Sequence, residues 1–272
     1  MCFLQMFLKD EDVNQPSKAR YEYFDKGIFI DPMVSKDILL SFTNKLRPVK
    51  LDQPLIRVGD DKDGGYLIPD DLTGIHACFS PGVDDIASFE QDLLAKGIGS
   101  HLADYSVESI PAGTKALSFE KKFLGASSHD NFISLEDWVN KYEPNASENS
   151  LLLQMDIEGA EYQTLLSCPE YILNKFKIMV VEFHSIETWS QVDFLNIVES
   201  TFNKLLKSHT VVHNHPNNAM GIVNLNGFKY PRLIELTFYK NNLFAGSGLA
   251  SLPHPLDRPN VNYLPPLDFP NN

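Results

Sequence analysis

From residue 74 onward the chain alternates short apolar runs with amphipathic stretches, and that alternation narrows the fold more than any other feature. IHACFSPGV (75–83) is a strand-like run that ends in a Pro-Gly break. DDIASFEQDLLAKG (84–97) has acidic residues in its first turn, apolar residues at helical spacing and Gly97 as a stop. HLADYS (101–106) and ALSFEKKFL (116–124) read as strands. SLEDWVNKYEP (134–144) reads as a helix, with Ser134 and Asp137 as a capping box in which Asp replaces the usual Glu or Gln. LLLQMDI (151–157) is a strand that turns at Gly159 into a helix reaching about Lys175. IMVVEFH (178–184) follows as a strand, and QVDFLNIVESTFNKLLKS (191–208) is the most regular amphipathic helix.

Strands spaced by helices predict a parallel sheet covered on both faces. TVVHNHPNN (210–218) and RLIELTFYK (232–240) have only a Gly/Asn-rich loop between them, so they are predicted to pair as an antiparallel hairpin at one edge. Residues 1–70 read as an appendage to this domain. They hold the amphipathic SKDILLSFTNKL (35–46) and a hairpin signal, IRVGDDKDGGYLIP (56–69), around a Gly-Gly turn. The main domain is expected over 71–245. Residues 246–272 form a Pro-rich tail expected to lie extended over the surface.

Composition excludes several function classes. At 272 residues, 43% hydrophobic and 22% charged, the chain can bury an ordinary globular core. A formal charge of −13, with Lys121-Lys122 as the longest basic cluster, argues against a nucleic-acid partner. Cys2, Cys78 and Cys168 form no CxxC pair, which fits a reducing cytoplasm. No apolar run approaches the roughly 18–20 residues of a membrane span, and MCFLQMFLKDEDVNQ lacks the basic region and cleavage site of a signal peptide. The sequon at Asn145 is then incidental. Oligomeric state is not legible.

In an open parallel sheet, ligands bind beyond the carboxyl ends of the strands. Five successive tips carry polar or ionisable groups: Ser80-Pro81-Gly82-Val83, then Asp104, then Asp156 with Glu158, then Glu182 with His184, then His213 and His215. Each has a plain reading and a functional one. Asp104 is either a turn cap or the acceptor for two vicinal ribose hydroxyls. Gly82 is either a turn residue or the point where backbone approaches a ligand. Gly65-Tyr66 either closes a hairpin turn or lays that hairpin over a cofactor. His213 and His215 are either plain strand histidines, one facing in and one out, or partners of Asp156, Glu182 and His184 in a divalent-metal or general-base site. The turn after Gly82 separates two cofactor classes: Asp84 and Asp85 at a helix head would repel a pyrophosphate and favour a cationic sulfonium.

With these residues in view, the chain resembles the FkbM-like, methyltransferase-like group of S-adenosylmethionine-dependent methyltransferases over about residues 55–240. QMDIEGAEYQTLL is similar to the group's fourth-strand signature. CFSPGVDDIASFE resembles its first glycine motif reduced to one glycine, and LADYS, VVEFH and VVHNHPNN resemble its other strand tips. The resemblance implies a Rossmann-like, seven-stranded, mostly parallel sheet with helices on both faces and an antiparallel last strand. It also implies cofactor contacts from Ser80–Val83 and Asp104, with Asp156 beside the reacting centre. The expected activity is O-methylation of a small hydroxylated acceptor such as a sugar, with His184 or His213 as the base. The rivals are a metal-dependent hydrolase using the HxH pair and the carboxylate tips, and a non-catalytic ligand-binding module on the same scaffold.

Overall fold

A computed structural model describes residues 21, 23–28, 33–83 and 87–269. It opens with helix α1 (Lys36–Asn44), strand β1 (Val49–Leu51) and the antiparallel hairpin β2 (Leu55–Val58)–β3 (Tyr66–Pro69). The alternating region supplies β4 (Ala77–Pro81), α2 (Ser88–Ala95), β5 (Gly99–Ala103) and β6 (Ser118–Glu120). After β7 (Phe123–Gly125) and β8 (Phe132–Ser134) come α3 (Leu135–Tyr142), β9 (Leu151–Met155), α4 (Glu161–Ser167), α5 (Glu170–Leu173) and β10 (Phe176–Phe183). The chain ends through α6 (Val192–Leu206), β11 (His209–Leu225), β12 (Phe228–Lys240) and β13 (Gly246–Leu249).

Seven strands form one sheet in the order β11-β12-β10-β9-β4-β5-β6. β12 runs antiparallel to both β10 and β11, while β4, β5, β6, β9 and β10 pair in parallel. This is the mixed α/β, methyltransferase-like Rossmann arrangement. From β4 the chain builds toward β6 on one side, then crosses back to β9 and builds toward β11. The β4–β9 seam is therefore the switch point where a crevice must open.

Period-two burial divides the core. Leu151, Leu153 and Met155 of β9 pack on one face with residues of α1, α3, α4 and α6, among them Phe42, Trp138, Tyr162 and Phe202. Leu152 points the other way, toward Phe89 and Leu93 of α2 and Val58, Tyr66 and Ile68 of the hairpin. Residues 34–69 thus contribute to both sides of the main core. Every position of β9 and β10 is buried, as continuous apolar runs in a doubly covered sheet require.

Several elements differ from expectation. The 116–124 run is two strands, and β7 leaves the main sheet to pair with β8. The 159–175 helix breaks at Cys168-Pro169, because proline cannot donate to the helix ladder. The two closing strands run through the intended loop and turn at Asn226-Gly227, both at positive φ, a turn suited to a tight hairpin. Ser134 caps α3 by accepting from Asp137 N at 3.1 Å, but its own N–H donates to Ser128 Oγ rather than to Asp137. Among the described residues no helix is long and apolar enough to cross a membrane.

Candidate active site

At the β4–β9 seam the Gly82 turn presses against the end of β9. Gly82 has φ +83°, and a Cβ there would lie 1.5 Å from the Asp156 carbonyl oxygen. Only glycine lets these two strand tips approach so closely. Gly82 N donates to Ala103 O at 2.9 Å and Asp156 N to Pro81 O at 3.2 Å, which locks the three tips together. The Asp104 carboxylate accepts from Val83 N at 3.1 Å and from Ser106 N and Oγ at 2.7 Å each. Asp104 is thus a turn cap whose carboxylate also faces the crevice.

That crevice is a cavity of about 370 Å³. Among the described residues lining it are five carboxylates, Asp63, Glu90, Asp104, Asp156 and Glu158, and no lysine, arginine or histidine. Gly82, Val83, Tyr66 and Gly64 also line it. Asp84 and Asp85, from which the sequence argument about charge proceeded, lie outside the described residues.

The floor is polar and sealed. Ser80, fully buried, meets the Glu90 carboxyl and stands 2.6 Å from Gln154 Oε1, while Gln154 Nε2 donates to Tyr66 Oη at 3.4 Å. Burial pushes the Glu90 carboxyl up, and the hydrogen bond that Ser80 donates to it opposes the shift. Ser80 and Pro81 lie beneath the cavity rather than along it. Tyr66 packs edge-to-face on Phe89 at 5.6 Å and reaches the lining. Gly65 does not line the cavity. It closes the hairpin loop, where a Cβ would lie 1.9 Å from Asp60 O. Glu90 and Ser106 were missed in the sequence, although a glutamate between Phe89 and Leu93 on the apolar face of a helix was the signal for the first.

Beside Asp156 the DIEGAE turn folds around a buried acid. Glu161 Oε1 accepts from Ile157 N at 3.2 Å, Gly159 N at 3.1 Å and His184 Nδ1 at 3.0 Å. Those bonds hold Glu158 at φ +57° and Gly159 at φ +106°. With Nδ1 committed, His184 turns Nε2 toward Glu158 Oε2 (3.4 Å), Asp156 Oδ1 (3.6 Å) and Glu182 Oε1 (3.7 Å). Burial alone would lower the His184 pKa. The hydrogen bond and charge of Glu161, then Asp156 and Glu158, overcome it and raise it to about 8. Burial lifts Asp156 to about 7, the nearby imidazole opposing it. The 28% of its side chain left accessible lines the cavity. Tyr162 Oη donates to His184 O at 2.9 Å and accepts from Trp189 Nε1 at 2.9 Å, fixing the strand tip from behind.

His213 and His215 belong elsewhere. Residues two apart on a strand share a face, and the two rings stack at 6.4 Å with 12° between planes, so they do not face opposite ways. Both look toward Asp257 of the tail: His213 Nε2 lies 3.0 Å and His215 Nδ1 3.7 Å from Oδ1. Burial holds His213 below the usual histidine value. Burial would raise Asp257, but the two histidines hold it well below the carboxylate range. Among the described residues two groups could hold a metal ion, Asp156/Glu161/His184 and Asp63/Glu182/Glu235. Neither contains His213 or His215. The tail is a built element: Asn218 Nδ2 donates to the carbonyls of Val261, Leu264 and Pro265, and Asn260 Nδ2 donates to Asp63 and Glu235.

No family model matches the chain, and no curated protein does. Among solved structures it is similar to a hemolysin candidate of Streptococcus thermophilus (8% identity, TM-score 0.37, 66% of this chain and 63% of that one). It is also similar to the Methanococcus jannaschii fibrillarin pre-rRNA processing protein (10%, 0.34, 70% and 83%). A third is a single-site mutant of the 16S rRNA (adenine(1408)-N(1))-methyltransferase from Catenulisporales acidiphilia (9%, 0.30, 73% and 100%). The chain thus spans under two thirds of the first of these. Likenesses this distant carry nothing about activity, and the fold rests on the strand order itself.

Proposed function

We propose that the chain is an S-adenosylmethionine-dependent methyltransferase acting on an oxygen of a small hydroxylated acceptor such as a sugar. One observation carries the reading: the switch-point cavity is lined by five carboxylates and, among the described residues, no basic side chain. A pyrophosphate would be repelled there, whereas a ligand bearing a sulfonium and an ammonium is attracted. A cavity of about 370 Å³ lies within the range of roughly 300–1,000 Å³ usual for small-ligand sites. When bound, the cofactor supplies an electrophilic methyl group.

The chain's own residues do the rest. Asp104, at the second strand tip, lines the cavity where the ribose hydroxyls would lie and is the acceptor proposed for them. Asp156, at the seam, orients the reacting groups. His184, behind the lining with Nε2 3.6 Å from Asp156 Oδ1, takes the acceptor proton through the Asp156 carboxylate, its ring held in one tautomer by Glu161. The base role falls to His184 because His213 is committed to Asp257. The same commitment removes the support for a hydrolase built on the HxH pair. The test is calorimetric titration with S-adenosylhomocysteine, followed by a screen of hydroxylated acceptors with labelled donor. Binding is expected, weakened by Asp104→Ala, and Asp156→Ala is expected to abolish turnover. A folded sample that binds nothing, or an Asp156→Ala variant with full activity, overturns the proposal.

A further inference from the structure

We propose that Asp63, Glu182 and Glu235 form a binding site for a hard divalent cation of the magnesium or manganese class, set between the cavity and the carboxy-terminal tail. Each of the three offers a carboxylate oxygen, and these oxygens lie within 4.8 Å of one another. Glu182 and Glu235 stand directly opposite each other in the β10–β12 register, and only 3% and 5% of their surfaces are exposed. Like charges facing each other across a strand pair repel, and burial removes the water that would screen them.

Amides and imidazoles offset part of this: His184 Nε2 lies 3.7 Å from Glu182 Oε1, and the charge of His215 acts on Glu235. Asn217 Nδ2 donates to Glu182 Oε1 at 3.1 Å, and Asn260 Nδ2 donates to Glu235 Oε1 at 2.6 Å and Asp63 Oδ1 at 3.1 Å. Arg57, the nearest guanidinium acting on Glu235, spends its hydrogen bonds on the carbonyls of Asp60 and Lys62. A separate observation points to a ligand: Glu182 Oε2 is buried and has no hydrogen-bond partner at all. An orphaned carboxylate oxygen in the interior is costly, and a cation among the three carboxylates would supply the missing partner. An all-oxygen donor set suits magnesium, manganese or calcium rather than a soft metal.

The location gives the ion a use. Asp63 also lines the cavity, and Glu182 Oε1 stands 3.7 Å from His184 Nε2. If the methyltransferase reading above holds, the ion sits at the acceptor end, and its open positions would take acceptor oxygens and fix their orientation. The site itself does not depend on that reading.

Binding is therefore measured without donor or acceptor. Metal-stripped full-length chain is titrated with manganese chloride by calorimetry and water-proton relaxation, with magnesium chloride as competitor. A single manganese ion per chain, displaced by magnesium, is expected. Asp63→Asn changes an exposed loop residue and so leaves the core intact; it and Glu235→Gln should each weaken binding at least about tenfold. Glu170→Gln, at an exposed position outside both acidic groups, should leave the affinity unchanged. A folded wild-type chain that binds no manganese overturns the proposal. So does full affinity in Asp63→Asn and Glu235→Gln, or a loss of binding in Glu170→Gln.

Discussion

Replacing Glu161 by glutamine removes one charge and leaves the shape of the DIEGAE turn almost untouched. A glutamine oxygen can still accept from Ile157 N, Gly159 N and His184 Nδ1, so the geometry holds while the carboxylate's attraction for an imidazolium disappears. His184 now sits at about 8 against 6.5 for a free imidazole. That gap is about a thirtyfold difference in proton affinity, or about 2 kcal/mol. Because the folded value is raised, the contribution is fully present below pH 6.5 and is lost as pH rises through about 8. In Glu161→Gln the charge of the largest raising partner vanishes while its hydrogen bond persists in neutral form, so His184 should titrate lower than in the wild type. Urea unfolding across this range, with the imidazole followed by NMR, reads both effects. The wild type should exceed the variant by more at pH 6 than at pH 9, with about 2 kcal/mol as the ceiling. A stability difference that stays flat with pH, or a variant His184 that still titrates near 8, refutes the assignment of Glu161 as its controlling partner.

Two further outcomes follow from the same geometry. If neutral His184 is the base, kcat/KM should rise with pH through about 8 and then level; a profile flat from pH 6.5 to 9 would remove His184 from the chemistry. Gly82→Ala must place a side chain at φ +83°, costing about 1–2 kcal/mol, and must also displace the Asp156 backbone. Thermal unfolding and S-adenosylhomocysteine calorimetry should show cofactor affinity falling more than stability, and a variant that binds like the wild type would contradict the close approach of the two tips.

The sheet was legible because its evidence is local. Runs such as LLLQM and IMVVEF are too continuously apolar for a half-exposed strand, and each is followed by a helix of the right period. The long β11–β12 hairpin was underestimated because its far half is exposed on one face, and the Asn226-Gly227 turn signal was absorbed into the Gly/Asn-rich loop. The partners within the site were hidden for a different reason. Asn260 meets Asp63 across 197 positions, and Asp257 meets the histidines of β11 from the tail, so neither contact leaves a trace in sequence spacing. Strand tips can be read from a sequence, but which tips face one another depends on strand order and on how the tail returns.

The DIEGAE turn shows how this changes the meaning of a motif. In the sequence Asp156 reads as the active-site carboxylate, Glu158 as facing either the site or the following helix, and Glu161 as part of that helix's first turn, where its charge favours the dipole. In the structure they separate by burial. Asp156 faces the cavity at the seam, Glu158 is exposed at the rim, and Glu161 is wholly enclosed. An enclosed carboxylate is tolerable only if its charge is used, and here it accepts two backbone N–H groups and one imidazole. Those bonds hold two residues at positive φ, and that backbone shape carries Asp156 and Glu158 to the open side of His184. The residue farthest from the cavity therefore decides where the other two point and how readily the histidine gives up its proton.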